Sequence, residues 1–374
     1  MTTSAKIERK LRAACNLITS CISPHGMGIW ASRGRYANQL WTRDFVLAAA
    51  PALELMGRMD VVYAHLNELL KRQDKVSGKV PILFLDSEKD FLKAKIDRSV
   101  KEGKWSFMLK RYFEDGGVEN LSPWTRDSEI LFAIALLEYR RKAALTRLQR
   151  ESTAVLQALQ YVERNLMEDG LVFGVDWRDT NMWLADKALL SNNCLLFRAY
   201  QLDGQHDKAV ALRTRIYDSL WTGTSFCDYV GVTTADTLGQ ALGVIYGAIL
   251  PESYPEVLVS FAAFHTARGY LSNDCRPNPV TPEEKRLLRL KRMKQSRAIW
   301  PFIHGYAILA LLKMGEGELA ETAFREYTNL SGFWEYYDPK TGQGYGAKEQ
   351  LWSAALYIRV AAALGYFADR SEER

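Results

Sequence analysis

The sequence predicts an all-α chain of helical hairpins, on three observations. Apolar residues recur at spacings of three and four through most of the 374 residues, the period of a helix with one buried face. Alternating β-branched runs are scarce. The helical stretches also come in pairs, an apolar one followed by a more charged one. Short turns such as Met56-Gly57 and Leu202-Asp203-Gly204 join the members of a pair, as in helical hairpins.

The periodicity places about twelve helices. They fall at residues 5–22, 43–57, 59–73, 127–144, 146–166, 183–202, 206–220, 233–249, 254–268, 299–314, 317–329 and 349–365. Hairpins in this number close into a ring, with the apolar helices as its inner wall. The longer loops, rich in Trp, Gly and Asp, then gather on one rim. That architecture is an (α/α)6 barrel; an open solenoid needs a more regular period than this sequence has. Short strand candidates are Val80–Leu85, Leu171–Val175 and Trp334–Tyr337. The expectation is a single domain over 1–374. Two stretches break the rhythm, 86–120 and 270–298, and each reads as a lid over the barrel mouth or as a plain surface excursion.

Composition narrows the function. An apolar fraction of 48%, a charged fraction of 25% and a net charge of +5 suit a globular protein with a large core. The basic residues concentrate in 91–111 and Lys285–Lys294 without interleaved aromatics in a nucleic-acid pattern, which argues against a nucleic-acid partner. No apolar run reaches ~18 residues, so no membrane span is expected. Met1–Lys6 leads into an amphipathic helix and not into an apolar signal core. Cys15, Cys21, Cys194, Cys227 and Cys275 lack metal-ligand spacing. They read as buried free thiols of a reducing compartment, hence a cytoplasmic protein without metal or cofactor.

Four segments carry chemistry. Trp41-Thr42-Arg43-Asp44 and Trp124-Thr125-Arg126-Asp127 repeat one tetrapeptide, each opening an apolar helix. An aromatic plate, a guanidinium and a carboxylate together form a sugar-binding toolkit: a ring face for C–H surface, charged groups for hydroxyls. Asp44 and Asp127 serve equally well as helix caps. Gly174-Val175-Asp176-Trp177-Arg178-Asp179 holds two carboxylates before another apolar helix. Asp176, between Val175 and Trp177, has the more apolar setting, which raises a carboxyl pKa as a general acid requires. Asp179 adjoins Arg178, which favours its ionised form, and reads as a sugar-binding or capping residue. Glu335 stands among Trp334, Tyr336 and Tyr337 ahead of the turn Asp338-Pro339-Lys340-Thr341-Gly342, and is the candidate general base. Trp352 opens the last apolar helix behind it. His304 and Asn193 complete the candidate binding set, His304 also reading as a satisfied core histidine and Asn193 as a helix-kink cap.

At these residues the chain resembles the inverting glycoside hydrolases built on an (α/α)6 barrel. That group includes trehalase, α-glucosidases of glycoside hydrolase family 63, mannosylglycerate and glucosylglycerate hydrolases, and alkaline invertases. Residues 41–45 are similar to the group's aromatic-Arg-Asp, and Gly78-Lys79-Val80-Pro81 to its Gly-x-Ile-Pro, with Val for Ile. Gly174–Thr180 is similar to its Gly-x-Asp segment. Residues 335–352 are similar to its Glu-x-Tyr-x-Pro-x-Thr-Gly-x-Gly … Trp-Ser/Thr-Ala ending. The resemblance implies Asp176 as general acid and Glu335 as general base, acting without metal on an α-glucoside-type bond in a small soluble saccharide or glycoside. Inversion requires the two carboxyl groups ~6.5–9.5 Å apart. Other readings are a sugar epimerase or isomerase, a disaccharide phosphorylase on the same barrel, and a non-catalytic glycan-binding relative.

Overall fold

The structure is a computed structural model, and it describes residues 2–103, 107–118, 124–140, 148–179, 181–273 and 297–367. Its long helices alternate between two concentric layers. The inner ring consists of residues 42–55, Ser128–Arg140, Leu190–Leu202, Thr237–Tyr246, Pro301–Lys313 and Leu351–Ala363. Each packs against the next and the last packs against the first, so the ring is closed. Met59–Arg72, Leu148–Asn165, His206–Leu220, Tyr254–Phe264 and Gly317–Asn329 each back the inner helix that precedes them. The first helix, Thr3–Ser20, covers the sixth inner helix and completes the outer layer. The fold is the expected (α/α)6 barrel.

Burial explains the layering. Inner helices are buried on nearly every side, as in Leu351–Ala363, where only Arg359, Ala362 and Ala363 escape full burial. A helix apolar all round belongs inside a two-layer fold. Outer helices bury one stripe, such as Ala209, Leu212, Ile216 and Leu220. Lys10 ties the first helix to the ring: its buried ammonium donates to the carbonyls of Tyr327 at 2.6 Å, Thr328 at 3.3 Å and Leu330 at 2.6 Å. These lie at the C-terminal end of Gly317–Asn329, where backbone acceptors lack helical partners.

Several boundaries move for local reasons. The helix expected from 183 starts at Leu190, because residues 185–189 turn and run extended after a short 3-10 turn at Met182–Leu184. The helix expected from 233 starts at Thr237, where the Asp236 carboxylate caps the Gly239 N–H at 2.6 Å. The helix expected to 268 ends at Phe264, and His265–Thr266 pairs with Gly269–Tyr270 instead. The three strand candidates shrink to Leu83–Leu85, Leu171–Val172 and Tyr336–Tyr337. Each forms a two-stranded ladder, with Gln39–Trp41, Met167–Glu168 and Gly344–Tyr345 respectively.

Stretch 86–120 contains two helices, Glu88–Glu102 and Phe107–Asp115. Phe91 and Val118, with Leu92 and Tyr112 packed on, join Ala31, Trp41, Ile82 and Leu83 in a small apolar cluster apart from the main core. Within 270–298, residues 274–296 lie outside the described residues, and so does the basic helix expected there. Cys21, Cys194 and Cys227 are buried free thiols and Cys15 is half-buried; Cys275 lies outside the described residues. No described helix is long and apolar enough to cross a membrane.

Candidate active site

The loops entering the first, third, fifth and sixth inner helices converge on one cavity of about 330 Å³, a volume at the small end of ligand pockets. Its walls carry Arg35, Tyr36, Trp41, Arg43, Asp44, Trp177, Arg178, Asp179, Trp300, Glu335, Tyr336, Gln350 and Trp352. Three guanidiniums and three carboxyls thus meet an aromatic lining.

Trp41 ends a strand and Thr42 starts the first inner helix. The Thr42 backbone N–H donates to Ile82 O at 3.0 Å and its hydroxyl to Pro81 O at 2.7 Å, so the Gly78–Ile82 segment acts as a latch for the helix start. Arg43 is buried and forks onto Asp127, Nε to Oδ2 at 2.5 Å and Nη2 to Oδ1 at 3.1 Å. The same Nη2 donates to the Asp176 carbonyl at 3.1 Å. Directly after Asp44 the helix widens into a π-turn over Phe45–Ala49, a feature frequent beside functional sites.

Asp44 is 5% exposed and accepts from Gln350 Nε2 at 3.0 Å. Burial raises its pKa to about 8; the Arg43 charge opposes the rise, and the Glu335 and Asp179 charges add to it. Asp44 is therefore a neutral carboxyl at pH 7, able to donate as well as accept. Since its folded pKa lies above the unfolded value, its stabilising share is complete below about pH 4 and drains away as pH rises through 8. Asp44→Asn, an uncharged isostere, is expected to gain melting temperature relative to the natural protein between about pH 5 and about pH 9. A difference that stays flat over that range would contradict the neutral state.

The turn at 174–179 carries both carboxyls of the Gly174–Asp179 segment. Gly174 has φ +123°, and a Cβ there would meet Arg126 Cγ at 2.0 Å, so the turn closes only over a glycine. Asp176 is 2% exposed and does not line the cavity. Its Oδ1 accepts from the Arg178 backbone N–H at 3.1 Å and Arg178 Nε at 2.9 Å; its Oδ2 accepts from Arg178 Nη2 at 3.0 Å and Ser191 Oγ at 2.6 Å. Burial alone would raise its pKa, but the Arg178 charge, the Arg178 hydrogen bonds and the Ser191 hydroxyl hold it below the ordinary carboxylate range. A carboxylate so held is a poor proton donor, which weighs against the expectation of Asp176 as the acid. Asp179 is the carboxyl of this turn that lines the cavity.

Glu335 sits at the head of the hairpin Tyr336–Tyr337/Gly344–Tyr345. Its Oε1 accepts from the Tyr36 hydroxyl at 2.9 Å and its Oε2 from the Ala347 N–H at 2.8 Å, with Arg35 Nη1 3.5 Å from Oε2. Burial, with the Glu335 charge next, pushes the Tyr36 pKa well above its ordinary value, so Tyr36 remains a donor. Tyr336 stacks on Trp300 with centroids 5.0 Å apart, and Trp177 meets Trp300 edge-on at 4.9 Å.

Of the other expected site residues, Trp41, Arg43, Asp44, Trp177, Arg178, Tyr336 and Trp352 line the cavity. Trp124, Arg126, Asp127, Asn193, His304 and Trp334 do not. Trp124 supports the Asp179 turn from behind, its indole N–H donating to the Asp179 carbonyl. Arg126 packs against Gly174, and Asp127 is the counter-ion of Arg43. The Asn193 amide closes on Val172 and Leu189 backbone groups. His304 is a core residue: Nδ1 accepts from the Tyr270 N–H at 3.2 Å and Nε2 faces the Ala323 carbonyl at 3.1 Å. The Trp334 ring lies against Gly344, and its carbonyl accepts from Ser353. Arg35, Tyr36, Trp300 and Gln350 are site residues that sequence reasoning did not single out. The signal for the first two is Arg33-Gly34-Arg35-Tyr36, a basic-aromatic loop just upstream of Trp41.

The comparisons follow the same outline. Residues 298–353 match the family model described as the mannosylglycerate hydrolase MGH1-like glycoside hydrolase domain. No curated protein matches the chain. Among solved structures, a wild-type glycosidase superposes with TM-score 0.68 at 14% identity, covering 97% of this chain and 98% of its own. A glycosidase variant in complex with glucose gives the same values. The family 63 mannosylglycerate hydrolase from Thermus thermophilus, in complex with Tris and D-glycerate, superposes with TM-score 0.63 at 14% identity over 93% and 99%. The fold is that of these glycosidases, an (α/α)6 barrel. The segment similar to the mannosylglycerate hydrolase MGH1-like glycoside hydrolase domain carries Trp300, Glu335, Gln350 and Trp352.

Proposed function

We propose that the protein is an inverting, exo-acting glycosidase that admits one terminal α-glucose-type unit of a small saccharide or glycoside. Asp179 is the general acid and Glu335 the general base. The observation that carries this reading is the placement of the two carboxyls around the ring. Asp179 enters ahead of the third inner helix and Glu335 ahead of the sixth, which are opposite members of a closed ring of six. Asp44 enters at the first, next to the sixth, and meets Gln350 there, so it neighbours the base and does not face it.

In the reaction, Asp179 gives its proton to the glycosidic oxygen while Glu335 takes one from a water on the other face of the sugar. The C–O bond to the leaving group breaks as the bond to water forms, and the anomeric configuration inverts. Arg43 and neutral Asp44 hydrogen-bond the non-reacting hydroxyls. Trp177, Trp300, Tyr336 and Trp352 supply ring faces.

The test is a hydrolysis panel of sucrose, trehalose, maltose, isomaltose, glucosylglycerate and mannosylglycerate, with the product anomer followed by NMR. The natural protein, Glu335→Gln and Asp179→Asn are run side by side. An inverted sugar, with turnover reduced in both variants by about 10²–10⁴-fold, is the expected result. Retention of configuration, or full activity in either variant, would overturn the assignment.

A further inference from the structure

Behind the Asp179 turn lies a buried charge cluster that the reaction itself does not use. Arg178 is clamped between two carboxylates. One, Asp176, belongs to its own turn. The other, Asp228, is fifty residues away in sequence and meets the guanidinium fork to fork, Nη1 to Oδ2 at 2.6 Å and Nη2 to Oδ1 at 2.8 Å. Bidentate charge-assisted pairs of this kind fix orientation as well as contributing energy. Asp228 is 1% exposed and does not line the cavity. Its backbone is anchored in the barrel: the Leu190 N–H, at the start of the third inner helix, donates to the Asp228 carbonyl at 2.9 Å, and the Asp228 N–H donates to Thr234 O at 2.7 Å.

The third carboxyl of the cluster is Asp236, fully buried. One of its oxygens caps Gly239, and the other has no hydrogen-bond partner among the described residues. Burial first, and the Asp228 charge next, raise its pKa well above the ordinary value.

We infer that Asp228 is a positioning residue for the reaction: through Arg178 it anchors the 174–179 turn to the barrel and so aims Asp179 into the cavity. The inference rests on Asp179 being the acid. The Arg178–Asp176 pair lies within the turn and reaches the barrel only through the single Ser191 hydroxyl, whereas Asp228 meets Arg178 directly and at two points. Other tethers hold other points: Arg43 holds the Asp176 carbonyl, Ser191 the Asp176 carboxylate, Asn192 the Gly174 carbonyl and the Trp124 indole the Asp179 carbonyl. Without Asp228 those points still hold, but Arg178, next to Asp179, loses its bidentate tie to the barrel and the aim of Asp179 shifts. A proton donor must lie within hydrogen-bond reach of the leaving oxygen, and a displacement near 1 Å costs on the order of 10²-fold.

A defect in acid placement has a signature that a loss of stability lacks, since it depends on the leaving group. In a glycosyl fluoride the C–F bond breaks to release fluoride ion, water forms the new C–O bond and Glu335 takes the proton of that water. No proton donor is needed. The experiment compares kcat for α-D-glucosyl fluoride with kcat for the glycoside hydrolysed best in the panel above, with α-D-mannosyl fluoride in parallel if that glycoside is a mannoside. The proteins are the natural enzyme, Asp179→Asn and Asp228→Asn, with melting temperature recorded for each. Asp228→Glu, which keeps the charge and moves the carboxylate by one methylene, replaces Asp228→Asn if the latter does not fold.

The expected result for the Asp228 variant is a loss of about 10–100-fold on the glycoside and less than about 3-fold on the fluoride. Asp179→Asn should discriminate in the same sense and more strongly. If Asp179→Asn discriminates while the Asp228 variant loses both substrates equally, or neither, the inference falls and the acid assignment stands. If Asp179→Asn loses both equally, the acid assignment falls and takes the inference with it.

Discussion

Asp127→Ala is expected to destabilise the fold by about 3–5 kcal/mol, the largest loss of stability predicted for a single site in this chain. Asp127 is 1% exposed and Arg43 is 3% exposed. Their pairing is bidentate, and the Arg43 guanidinium donates otherwise to the neutral Asp176 carbonyl. Removing the carboxylate takes away the counter-ion of a cation in the barrel interior. A buried pair adds little net stability over an apolar replacement, but breaking it from one side leaves a charge without compensation. Urea unfolding of variant and natural protein measures the effect, and a difference below about 1 kcal/mol would contradict it. Because Arg43 also lines the cavity, the fraction of variant that folds should bind sugar more weakly.

Gly346→Ala is expected to lower kcat by at least about 10²-fold. Gly346 has φ +80°, and a Cβ built on it would lie 2.1 Å from Glu335 Oε2. The added methyl and the carboxylate cannot share that space, so Glu335 must leave the position set by Tyr36 and the Ala347 N–H. The left-handed backbone adds a cost of about 1–2 kcal/mol for a residue with a Cβ. Gly342→Ala is the control. It has φ +73° on the same hairpin, and its Cβ would approach the flexible Arg268 side chain at 3.2 Å and not Glu335. It should lose a similar stability and keep its turnover; equal kinetic losses in both variants would place the effect in the hairpin as a whole.

The ring of helices was legible because its cause is periodic and local. A helix buried all round and a helix with one stripe differ in their own residues. The rim was legible only in part, because its geometry depends on partners far away in sequence. Val175 and Trp177 correctly indicate that Asp176 is buried. They say nothing of Arg178 folding back onto it, or of Asp228 fifty residues on, and the Arg178 partner holds its pKa down where burial alone would raise it. The two Trp-Thr-Arg-Asp copies look alike in sequence but lie at different depths. Trp41 faces the cavity while Trp124 braces a carbonyl from behind, and Arg43 of one copy takes Asp127 of the other as its counter-ion. The first copy lines the cavity, and the second stands behind it. Glu335 was found because its surroundings, the aromatic neighbours and the Pro-Gly turn, are contiguous with it. Tyr36 was missed because its role rests on a contact across 299 residues of chain.

The seam between Thr3–Ser20 and Leu351–Ala363 has a consequence for synthesis. Lys10 reaches carbonyls 317 to 320 positions later in the chain. At a ribosomal pace of ~5–20 residues per second, the first helix waits on the order of 15–65 seconds for its partners. During that time the stripe of Ile7, Leu11, Ala14 and Ile18 lacks the surface it will finally cover. This helix is thus made long before the surface it covers and docks late, which leaves its apolar stripe in need of a chaperone's cover.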